Sequence, residues 1–96
     1  MSELEQSTFE GRIGQTFTAQ LEDGSAVALE LAAVTGRDTP GARAFALELR
    51  GPLDRFLPQR TYVFTHVDLG ELPIFVVPVG RDGDGFRYEA IFSRLV

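Results

Sequence analysis

The chain has 96 residues, 44% of them apolar and 24% charged, and a formal charge of −5. That composition is ordinary for a globular protein, and a chain this long buries roughly 60–65% of the surface its unfolded form exposes. With no cysteine, disulfides, thiolate metal sites and a cysteine nucleophile are excluded.

All nine basic residues are arginines, spread from Arg12 to Arg94 without a run. An acidic chain with dispersed cations is repelled by phosphate, so nucleic acid is not an expected partner. No run approaches the roughly 20 apolar residues that span a bilayer, so no membrane is expected either. The opening MSELEQSTFEGR is acidic and has no apolar stretch, unlike a secretory signal. These features predict a cytoplasmic protein, or one that leaves the cell as part of a larger particle.

Residues 1–96 read as one domain, with residues 1–6 as a frayed polar tail. Ser7 and Glu10 have capping-box spacing, in which each side chain satisfies a backbone N–H of the other. The pattern predicts a short helix over 8–13, with Phe9 and Ile13 on one face. Gly14 suits a left-handed stop. From Gln15 to Glu22 apolar and polar residues alternate, with Phe17, Ala19 and Leu21 on one face of a strand. Asp23-Gly24 is a strong hairpin signal, since both types tolerate positive φ. The returning strand turns Val27, Leu29 and Leu31 inward. Its phase blurs at Ala32-Ala33-Val34, which suggests a bulge or burial on both sides.

A loop over 36–42 precedes a third strand with Phe45, Leu47 and Leu49 inside. Gly51-Pro52 ends it, because proline has no N–H for a ladder. Leu53 to Gln59 is a connection held by Phe56, Leu57 and Pro58. The fourth strand, Thr61 to His66, places Tyr62, Phe64 and His66 on one face. The fifth, Glu71 to Val79, is apolar on both faces, which predicts a central or doubly covered strand. Pro73 and Pro78 restrict its ladder. The Asp82–Gly85 turn leads to a last strand with Phe86, Tyr88, Ala90 and Phe92 inside. The sum is a mainly all-β fold: a six-stranded antiparallel meander closing into a small barrel or sandwich, with one short N-terminal helix.

Reactive constellations are missing. His66 is the sole histidine, placed at a strand end, and reads as structural or solvated rather than as a base. Asp82-Gly83-Asp84-Gly85 looks like the start of a calcium loop, but its twelfth position is Ser93 where an EF-hand needs an acid. The acid pairs Asp68/Glu71 and Asp54/Glu48 show no fixed separation across a cleft. Ser2, Ser7, Ser25 and Ser93 sit in no nucleophile elbow. No enzyme, cofactor or metal is therefore expected. Most aromatics fall on inner faces; Phe56, in a loop, is the one expected at the surface.

One resemblance extends over nearly the whole chain. Phe9, Gly14 and Phe17, then Arg50-Gly51-Pro52, Leu57-Pro58-Gln59, Thr61-Tyr62, His66, Leu69-Gly70, Phe75, Val77-Pro78-Val79-Gly80, Asp82, Gly85, Tyr88-Glu89-Ala90 and Phe92 recur in register. This pattern resembles a small bacterial domain family of unknown function. It departs at Arg60, where the pattern has glycine. The resemblance implies association with tail-collar-type proteins related to phage tail fibres, and it implies no catalytic residue. The expected function is therefore a non-catalytic structural, assembly or accessory binding module beside a tail-collar or fibre-like protein. The alternative is a small β-barrel module that binds a glycan or another ligand. Expected partner contacts lie on two loops, at Asp54, Arg55, Phe56, Asp82 and Asp84. An unpaired edge, if the sheet stays open, would also favour a homodimer.

Overall fold

A computed structural model describes residues 5–95. Helix α1 spans Gln6–Glu10, followed by strands β1 (Thr16–Gln20), β2 (Ala26–Gly36), β3 (Ala42–Gly51), β4 (Arg60–His66), β5 (Gly70–Asp82) and β6 (Gly85–Leu95). The fold is mainly β with one short helix, and every neighbouring pair is antiparallel.

The strands close into a barrel in the order β1-β2-β3-β6-β5-β4. The expected meander holds within β1-β2-β3 and within β4-β5-β6, and fails between them. β3 pairs with β6, and β4 pairs with β1 through Thr18↔Thr65, Ala19↔Phe64 and Gln20↔Val63. The connection from Pro52 to Gln59 therefore crosses one end of the barrel instead of forming a tight turn. Closure gives each strand two partners, although the β5–β6 ladder runs only from Val77 to Asp82 and the β1–β4 seam only from Thr18 to Gln20.

The inner faces follow from alternation. Phe17, Ala19, Val27, Leu29, Leu31, Leu47, Leu49, Phe64, Ile74, Val76, Tyr88 and Ala90 are buried in one core. The blurred phase in β2 is a bulge: Leu31 pairs with Leu49, but Ala33 pairs with Glu48. The extra residue flips the alternation, so that Val34 opposite Leu47 packs against the core. A second bulge lies between Pro78 and Gly80 in β5. It accommodates the proline, as expected.

Two further expectations fail. β5 is not covered on both sides: Leu72, Ile74 and Val76 are buried, whereas Phe75 and Val79 are exposed. A closed sheet has one interior, so the second apolar face of β5 lies on the outside. The helix also starts earlier than its capping pattern suggests. Its N-cap is Glu5, whose N–H donates to Thr8 Oγ1 at 3.1 Å. Glu5–Thr8 has the same spacing of three as Ser7–Glu10, and the earlier start lets Phe9 enter the core. Phe9 is fully buried but Ile13 is 51% exposed, so the two do not share a face. Of the expected tail, residues 1–4 lie outside the described residues, and Gln6 already belongs to α1.

The barrel has two distinct ends. α1 covers one, inserting Phe9 against Phe17, Phe45 and Phe92 at centroid distances of 5.6–6.0 Å. The Pro52–Gln59 connection covers the other, beside the β1–β2 and β5–β6 turns. All five loop residues singled out from the sequence lie at this second, loop end.

Candidate functional site

The loop end is anchored from inside. Leu57 is buried, and its backbone N–H donates to Tyr88 Oη at 3.0 Å. Tyr62 Oη donates to the Pro58 carbonyl at 2.7 Å. Burial raises the pKa of both phenols, so both stay neutral hydroxyls at physiological pH. These two bonds anchor Leu57 and Pro58 and hold the connection as a lid over this end. Outward from it stand Leu53 and Phe56, 45% and 51% exposed. Phe56 rests edge-on against Phe86, with centroids 5.1 Å apart at 70°, a geometry that orients the exposed ring.

Charged residues surround this apolar centre. Arg55 Nη2 donates to Ser25 Oγ at 3.0 Å. Ser25 in turn donates from its N–H to Asp23 Oδ1 at 2.9 Å, and from its hydroxyl to the same oxygen. The serine hydroxyl chiefly holds the Asp23 carboxyl below its usual pKa. Arg60 bonds Glu22 and lies over the Tyr62 ring at 5.5 Å.

The five predicted contact residues take different roles. Asp54, Arg55 and Asp84 line one open groove of about 710 Å3, together with Arg50 and Glu30. Phe56 does not line that groove and stands on the outer face of the lid. Asp82 is committed to structure. Its Oδ1 accepts the Asp84 and Gly85 N–H groups at 2.9 and 3.1 Å, and its Oδ2 pairs with Arg50 at 3.3 Å. These backbone bonds, with Arg50, hold its pKa below the usual 3.8. A carboxylate with a depressed folded pKa stabilises the fold above its unfolded value, and the contribution disappears as pH falls through the folded value. The melting-temperature gap between wild type and Asp82→Asn should therefore be largest near neutral pH. It should close as the pH drops below 3.8; a gap constant with pH would contradict the assignment.

Ser25, Arg50 and Glu30 were not anticipated. Ser25 is far from Arg55 in sequence, and only the β2–β3 register brings the two turns together. The Asp23-Gly24 pair did mark the turn. Gly24 has φ +87°, and Gly24 N–H donates to the Leu21 carbonyl at 3.1 Å.

His66 lies at the other end, buried in the wall. Its Nδ1 accepts the Asp68 and Leu69 N–H groups at 3.0 and 3.2 Å, so its proton sits on Nε2, which donates to Gln15 Oε1 at 2.6 Å. The ring stacks on Phe17 at 4.5 Å. With both nitrogens engaged, the ring staples the β4–β5 turn to the start of β1. His66→Ala would leave two N–H groups short of an acceptor and should cost about 2–3 kcal/mol. Nitrogen NMR should find the Nε2–H tautomer; the Nδ1–H form would overturn the staple.

Among the described residues no group of three or more His, Cys, Asp or Glu side chains could hold a metal ion. No helix there is long and apolar enough to cross a membrane. No curated protein and no solved structure matches the chain. A family model does match it, over residues 4–92, and the chain thereby belongs to the DUF6916 family, a domain of unknown function.

Proposed function

We propose that this domain is a non-catalytic structural, assembly or accessory binding module, acting with a partner protein of the tail-collar or fibre-like type. The observation that carries the reading is Phe56: a half-exposed aromatic on the lid, held edge-on against Phe86, with Leu53 also exposed on the same connection and a groove lined by Asp54, Arg55 and Asp84 at the same end of the barrel. Interface hot spots have this composition, a central aromatic or arginine within a polar rim. A preorganised lid also loses little entropy on binding. The partner class rests on the resemblance to collar-associated domains. A cytoplasmic site of action, or carriage within a larger particle, belongs to the same proposal, as does a partner that is neither nucleic acid nor membrane.

Co-expression with a collar-type protein encoded beside this one should give a complex that co-elutes on gel filtration, or should raise that protein's soluble yield. Neither result appearing would remove the assembly reading.

A second reading, a small β-barrel module for a ligand or glycan, is favoured by one observation. At the helix end, α1, β3 and β6 border an open pocket of about 520 Å3, within the usual range for small-molecule sites.

A further inference from the structure

The helix-end cavity has a chemical signature of its own, independent of the assembly reading and of the loop end. Its floor is the Phe45–Phe92 pair, stacked 4.9 Å apart with ring planes 7° from parallel. Phe9 backs both rings. Its walls carry three carboxylates, Glu5, Glu10 and Asp38, against one guanidinium, Arg43. All three carboxylates are already positioned, Glu5 by the capping box in which it accepts the Thr8 N–H. Glu10 Oε2 accepts from Gln6 Nε2 at 3.1 Å, and Asp38 Oδ1 accepts the Ala44 N–H at 3.0 Å. Each is thus oriented by one oxygen before any ligand arrives, which lowers the ordering cost of binding.

We infer that this cavity binds a small organic cation: one ammonium or guanidinium head joined to an apolar or aromatic body. The acidic wall favours a positive head and repels anions. The half-buried Phe92, backed by the buried Phe45, supplies apolar contact for the body. An uncharged molecule of the same shape would gain the floor and lose the wall.

The test is a titration of the full chain, labelled with nitrogen-15, with 2-phenylethylammonium, its neutral isostere 2-phenylethanol and the anion 3-phenylpropionate. The cation should shift the amides of Gln6, Ser7, Ala44 and Ser93 saturably, with a Kd of about 1 mM or tighter. The alcohol should bind about tenfold more weakly, and the anion should produce no saturable shift. In the double variant Glu10→Gln, Asp38→Asn the internal acceptors are kept, and affinity for the cation should fall about tenfold while the alcohol is unaffected. The inference is overturned if the cation gives no saturable shift, if alcohol and cation bind equally, or if shifts appear elsewhere on the barrel. The ligand series on the unaltered chain decides the matter even if the double variant misfolds. A positive result here says nothing for or against the collar-type partner, so the two proposals fail separately.

Discussion

Phe9→Ala should destabilise the domain by about 3–5 kcal/mol, the usual cost of removing a fully buried phenylalanine. Domains of this size have total stabilities on the order of 5–14 kcal/mol, so the variant should be near the threshold of folding. The effect should exceed that of an average core residue for a structural reason. α1 has five residues, far below the length at which an isolated helix persists in water. Phe9 is its one buried side chain, and the ring contacts three other phenylalanines from β1, β3 and β6. Truncation would leave a void over the core and detach the helix that covers it. Urea denaturation should show a lower midpoint, and amide exchange should accelerate at the helix end first. A midpoint shift corresponding to less than about 1 kcal/mol would mean that α1 is not what closes the barrel.

Gly85→Ala should be the most damaging change that adds a single methyl group, at about 3 kcal/mol, the upper part of the range for overpacking. Gly85 opens β6 at the Asp82 turn, and a Cβ there would run into the carbonyl oxygen of Gly51 at the end of β3. The obstacle is backbone in the β3–β6 ladder, where Gly51 pairs with Phe86, so no rotamer change relieves it. Gly80→Ala is the matched control. Its Cβ would meet the guanidinium of Arg87, nearest at Nη2, 2.6 Å away, the far end of a long side chain rather than backbone. The control should cost less than about 1 kcal/mol. Equal melting temperatures for the two variants would contradict the close approach of β3 and β6.

What could be read from the sequence was mostly local. Alternation at Phe17/Ala19, Val27/Leu29/Leu31 and Tyr62/Phe64 marked the core because every strand of a closed sheet has one wet face. The Asp23-Gly24 turn was visible because few residue types accept the positive φ that Gly24 adopts, and the Asp82–Gly85 turn because an aspartate can accept the N–H groups of its own turn. The β2 bulge showed as a lapse in phase. Strand order did not show, since the β1–β4 seam joins Thr18 to Thr65 and no short-range signal specifies such a pairing. β5 misled for a related reason: Phe75 and Val79 carry the same residue types whether a second layer covers them or not.

The candidate site was legible in part. Both loops were found, and they do meet at one end of the barrel. The difference in role between Asp82 and Asp84 was not visible, because it depends on which carboxylate faces the turn's own N–H groups and Arg50. Arg50 and Ser25 were missed because register brings them to the site. The helix-end cavity was missed because Phe45 and Phe92 read simply as core, and Asp38 as loop.

The central claim is that the domain engages its partner through the lid at the loop end. Calorimetric titration of the collar-type partner with two single variants tests it most directly. Phe56 and Phe75 are 51% and 50% exposed, so replacing either by alanine should leave folding largely intact. Phe56→Ala should weaken binding about tenfold or more, as loss of a hot-spot aromatic does, while Phe75→Ala, on the outer wall of β5, should bind like wild type. Unchanged affinity for Phe56→Ala with a loss for Phe75→Ala would move the contact to the barrel wall and contradict the account.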